Sequence, residues 1–180
     1  AWLGIHSEET AFNKIIKIIM DASAGANNGK LEITWRSPTG IVSFETTSAW
    51  DDNAWHWLLL VRRSSSPFVQ VYIDGASEGS STTDPGTNNQ SMTILWGFDN
   101  ENANSSFGGT LARCAAFARA LTVEEARSYV YNRPPSGSVD FWHEMVGGSP
   151  EPDWSGNGRN GTLTGTSVAD HAPIGPMFGF

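Results

Sequence analysis

The chain has 180 residues, a formal net charge of −8 and one cysteine, Cys114. That length suits one domain of ordinary size with a real core. The acidity, with no basic cluster in view, argues against nucleic acid and against an anionic membrane surface, and a single thiol excludes an internal disulfide or a CxxC-type metal site. Eight Trp, nine Phe and nineteen Gly, with only 17% charged residues, describe a turn-rich β protein.

In chain order, residues 1–5 read as a short strand, and FNKIIKIIMD (12–21) as another, its isoleucines favouring strand over helix before the GANNG turn cluster. The chain opens on AWLGI, inside such a run, as expected of a processed or partial product. LEITWR (31–36) and IVSFETT (41–47) alternate cleanly around SPTG and predict a hairpin. AWDDNAW is a short acidic loop leading to a second hairpin, WHWLLLVRR and FVQVYIDG, whose closing Asp74-Gly75 is a tight-turn signal. Residues 76–90 read as a long polar loop, 91–99 as a strand, 100–109 as a second polar loop and 110–121 as a strand.

One helix is expected near 122–132, with Thr122 as N-cap and Glu125 three residues on, an apolar face of Ala126, Tyr129 and Val130, and a stop before Pro134. Beyond it, 138–145 and 162–166 read as short strands within Pro/Gly-rich sequence. Some forty residues with few apolar positions make no core alone. Residues 134–180 are therefore expected to dock on a 1–133 sandwich through Phe141, Trp142, Trp154 and Leu163. About ten short strands with regular turns predict an all-β, two-sheet antiparallel sandwich. Cys114, in LARCAAF, is expected to be a buried, inert thiol.

AWHWLLLVRR…VQVYIDG, followed by MTILWGFD…SSFGGTLARCAAFARALTVEEARSYVYN, resembles the laminin G-like (pentraxin-like) jelly rolls of the concanavalin A-like lectin/glucanase superfamily. The similarity covers about residues 50–133. FWHEMVGGSPEPDWSGNGRNGTLTGT resembles the piece that usually opens such domains, here at the other end of the chain. The resemblance thus implies a jelly roll whose tail supplies an edge strand, in cis or to a neighbouring subunit, or else opens a second, truncated repeat. The tail is also similar in style to jelly rolls of phage and environmental-virus structural proteins.

Catalysis in the superfamily's glucanases needs paired carboxylates on one strand face about 5 Å apart. Glu32 has no partner at that spacing, and Asp140 and Glu144 lack a central carboxylate, so no enzyme is expected. For sugar stacking, Trp50 beside Asp51 and Asp52, and Trp96 before Asp99, Asn100 and Asn102, are the candidates, whereas Trp35, Trp55 and Trp57 read as core. His6, His56, His143 and His171 read as structural or surface groups. Calcium is the one cofactor the resemblance implies as a candidate, with Asp99, Asp153 and Asn157 as oxygen ligands. Arg113 stands where the family usually has an acidic residue.

The expected function is a non-enzymatic structural or interaction module of an extracellular or virion-surface assembly, such as a capsid decoration or fibre subunit with glycan adhesion. Its partners would be other subunits (a homo-oligomer or capsid) and cell-surface glycans. The alternative is a secreted, calcium-dependent lectin-like module.

Overall fold

A computed structural model of the chain describes residues 5–8, 14–20, 28–87, 93–97, 108–133, 139–165 and 167. The chain divides into two compact units, Ala1–Gly109 and Thr110–Phe180, so residues 110–133 group with the tail.

The described residues of the first unit form β1 (Ile5–Glu8), β2 (Lys14–Met20), β3 (Leu31–Ser37), β4 (Gly40–Glu45), β5 (Leu58–Arg62), β6 (Val69–Ile73), β7 (Ala76–Ser81) and β8 (Thr93–Trp96). They form a five-stranded sheet in the order β4-β3-β2-β1-β8 and a three-stranded sheet β5-β6-β7. Every pairing is antiparallel. Alternation decides which face of each strand turns inward. Ile33 pairs with Phe44 and Trp35 with Val42, while Leu58 pairs with Ile73 and Leu60 with Val71. Ile18, Leu31 and Ile33 from one sheet meet Val71 and Ile73 from the other in a single apolar cluster, with Trp50, Leu58 and Leu60 packed on it. Two sheets sharing one core make this unit the expected all-β sandwich.

One expectation in this unit is corrected. Residues 76–81 are not loop but strand β7. Ala76-Ser-Glu-Gly-Ser-Ser81 carries almost no strand propensity. The turn decides instead: Asp74 and Gly75 both have positive φ, 51° and 90°, the two-residue geometry that sends a chain straight back along its partner. A Cβ on Gly79 would lie 2.9 Å from the Phe44 ring, so only glycine allows this approach. Glu78 is buried there, its carboxylate accepting from the Ser48 amide (2.9 Å) and hydroxyl, and its carbonyl accepting from the Thr47 amide.

The second unit contains β9 (Cys114–Ala116), α1 (Val123–Tyr131) and β10 (Phe141–His143). β9 and β10 pair antiparallel within the chain, Cys114 opposite His143. The strand expected over 110–121 is thus only three residues long. Arg113, at φ 54°, turns the backbone just before it. Residues 162–165 of the strand expected over 162–166 form no strand; the nearest pairing is an isolated bridge between Glu151 and Gly161, and Gly165 lies at φ 65°. The helix begins as its sequence predicts. Thr122 Oγ1 accepts from the Glu125 amide, and Glu125 accepts from the Thr122 amide, a complete capping box. Hydrogen bonding to the exposed Arg119 guanidinium, then to the Thr122 amide, pulls the Glu125 carboxyl down to about 2.

Candidate functional site

The loop between β4 and β5 is anchored at its start by the Trp50 amide, which donates to Gly29 O at 2.7 Å. Gly29 has φ 77°, and the Asp51 carboxylate fills the space where its Cβ would be. Asn53, at φ 62°, then reverses the chain. Asp52 Oδ1 accepts from the Ala54 amide two residues on (3.0 Å), a local turn of the kind aspartate favours.

The far end of the loop is tied across the sandwich unit's second hairpin. His56 Nδ1 lies 2.7 Å from Asp74 Oδ2, and its Nε2 lies 2.9 Å from Asp52 Oδ1. Asp74 in turn accepts from the Trp57 amide at 3.0 Å and donates its own amide to Trp57 O. One imidazole therefore bridges two carboxylates eighteen and four residues away in sequence. Trp50 meets the His56 ring edge-on, centroids 4.7 Å apart, and its indole N–H is buried with no acceptor among the described residues. Trp55, next to the bridge, is 41% exposed.

Burial alone would lower the His56 pKa, but Asp74 and Asp52 together outweigh it and raise it above the ordinary histidine value. The hydrogen bond from His56, then that from the Ala54 amide, holds the Asp52 carboxyl below its ordinary range.

Trp50, Asp51 and Asp52 of the expected sugar-binding set are thus gathered on one loop, but Trp50 is half-buried against the core rather than an open platform. Trp55, expected in the core, is the exposed ring. Apolar packing selects the first tryptophan because the loop enters the sandwich at residue 50 and leaves it by residue 55. His56 and Asp74 join the site although the sequence marked one as structural or surface and the other as a turn residue. The readable signal was the Asp52–His56 spacing, together with the hairpin register that brings residue 57 opposite Asp74. Trp96 ends β8 opposite Ile5 and is half-buried. Asp99, Asn100 and Asn102 lie outside the described residues.

The second unit has its own polar cluster. Asp153 Oδ1 accepts from the Trp142 and Ser155 amides, and Oδ2 from the Ser155 hydroxyl and the Arg159 amide. Burial pushes its carboxyl up, but these donors prevail and lower it to about 2. Asn157 Nδ2 donates to the carbonyls of Val139 and Asp140. Of the three candidate calcium ligands, Asp153 therefore has both carboxylate oxygens engaged by its own unit and Asn157 is held through Nδ2, while Asp99 lies outside the described residues. Among the described residues no group of three or more His, Cys, Asp or Glu is arranged to hold a metal ion.

Buried Glu144 accepts from Arg113 Nε (2.8 Å), Arg133 Nε (3.1 Å) and Trp142 Nε1 (2.9 Å), and Arg113 also reaches Val130 O. Burial opposes the ionised form of Glu144, but Trp142 and the two arginines prevail and lower its pKa. Asp140 pairs with Arg159 instead, so Asp140 and Glu144 serve different cations. Phe141 and Trp142 are buried within their own unit, whereas Trp154 is 49% exposed, with the Arg133 guanidinium 4.3 Å from its ring centre.

Residues 5–127 match a laminin G family model described as the concanavalin A-like lectin/glucanases superfamily. The match spans well over half of the chain, which belongs to that superfamily. No curated protein and no solved structure matches it.

Proposed function

We propose, taking membership of the concanavalin A-like lectin/glucanases superfamily as the premise, that the chain is a non-enzymatic glycan-binding module whose sugar-contacting surface is the 50–57 loop. The observation that carries this is Trp55, an exposed indole preceded in the same loop by the exposed residues Asp51 and Asp52. A flat aromatic face stacks on the C–H face of a pyranose, and adjacent carboxylates accept from its hydroxyls. The module would work in an assembly at an extracellular or virion surface, alongside other subunits, as a capsid decoration or fibre protein. Its acidic, lightly charged composition supports such a setting.

A glycan array probed with and without chelator tests the reading. Retention on at least one immobilised oligosaccharide, lost on Trp55→Ala, is expected, and a blank array sinks it. Loss of retention with chelator would make calcium part of the site, with Asp99, Asp153 and Asn157 as the first positions to substitute. Release of reducing ends from β-glucans would overturn the non-enzymatic assignment. The assembly role is tested by light scattering, where a lone monomer at all concentrations removes it.

A further inference from the structure

The bridge at His56 has a proton count that its geometry dictates. Both ring nitrogens face carboxylate oxygens, at 2.7 Å and 2.9 Å. An ionised carboxylate only accepts, and a neutral imidazole has a single N–H to donate. Both contacts are hydrogen bonds only while the ring carries two protons. The ionisable groups facing His56 are Asp52 on its own loop and Asp74 on the β6–β7 turn; its other ring neighbour, Trp50, is uncharged.

We propose that Asp52, His56 and Asp74 form a proton-operated tie that holds the 50–55 loop against the β6–β7 turn and so positions Trp55 for the sugar. This rests on the glycan reading of the same loop only for its consequence, not for the tie itself. When the ring loses a proton, one contact must go. Asp74 is fixed from its other oxygen by the Trp57 amide and makes the shorter contact, so the bond to Asp52 is the one released. The Asp52 carboxylate that accepts from the Ala54 amide then loses its own anchor to the ring, so that amide becomes easier to open. The raised pKa of His56 sets the direction. The tie is fully formed below the ordinary histidine pKa of about 6.5 and is lost as pH rises through the folded-state value.

Amide hydrogen exchange on the intact chain, corrected for intrinsic rates, reads the tie without any ligand. The Ala54 amide is expected to lose protection as pH rises, by about tenfold per pH unit across the interval between the untied and tied pKa values. His56→Gln, with one amide donor group and no titration, should show a flat profile. If that variant does not fold, Asp52→Asn decides: the titration midpoint should move down. A flat wild-type profile, or an unchanged midpoint in Asp52→Asn, overturns the proposal.

Retention of Trp55-dependent oligosaccharides at pH 6 and pH 8 then separates the two readings. Retention that changes in step with Ala54 protection supports the tie as a control of binding. A blank array beside a pH-dependent Ala54 profile leaves the tie standing and removes the glycan function. Oligosaccharide binding beside a flat profile removes the tie alone.

Discussion

In the first unit the buried cluster is Ile18, Leu31, Ile33, Val71 and Ile73, and the buried polar residues among those described are Thr34, Ser37, Thr46 and Glu78. In the second unit the buried side chains include His143, Glu144, Glu151 and Ser155 among Val139, Phe141 and Trp142. Glu151 is 1% exposed, with one carboxylate oxygen accepting from the Val146 amide and the other without a partner among the described residues. The core of one region is thus apolar area removed from water, which is indifferent to protons, with the His56 tie lying outside it. The other adds to its apolar residues the buried Glu144 carboxylate, whose hydrogen bonds to Trp142, Arg113 and Arg133 must offset its desolvation. Acid and salt should therefore act on the two regions unequally.

The largest effect expected is in the apolar region. Ile33→Ala opens a cavity at a fully buried position and should cost about 2–5 kcal/mol by urea unfolding. The cost should be the same at pH 4 and pH 7; a strong pH dependence would erase the contrast. Glu144→Gln keeps the shape but removes the charge that Arg113 and Arg133 approach. Its expected cost is about 2 kcal/mol, seen as faster amide exchange in residues 110–165 with β3 and β6 unaffected.

Acid titration gives a smaller and graded effect. Asp153 and Glu144 both have lowered folded-state pKa values, so their stabilisation is present above the ordinary carboxyl range. For Asp153 it is lost as pH falls from about 4 towards 2, and for Glu144 as pH falls through its own lowered value. Near-ultraviolet circular dichroism of Trp142 and Trp154, isolated by difference against phenylalanine variants, should change over that interval before the sandwich unfolds. The smallest effect belongs to the helix start. Thr122→Ala removes one side of the capping box and should cost about 1 kcal/mol.

Local pattern carried much of this fold. The alternation in LEITWR and IVSFE, the Asp74-Gly75 turn and the Thr122–Glu125 pair each act within a few residues, and each stands in the structure as its own chemistry dictates. What local pattern could not carry was pairing between distant polar groups. β7 is a strand because of the turn before it and the room Gly79 leaves for Phe44, not because of its own side chains. His56 acquires its two carboxylates through hairpin register, and Glu144 acquires Arg113 from thirty-one residues upstream. Trp50 and Trp55 differ by five positions in one loop, and only the path of the chain distinguishes the packed ring from the open one.

The lone thiol gives the second unit a built-in reporter. Cys114 is 6% exposed on β9, and burial, reinforced by the nearby Glu151 charge, raises its pKa so that the reactive thiolate is suppressed in the folded state. Alkylation of the native chain therefore has to wait for that unit to open. With reclosing faster than labelling, the labelling rate measures the equilibrium fraction of chains in which the unit around Cys114 is open while the sandwich core stays closed.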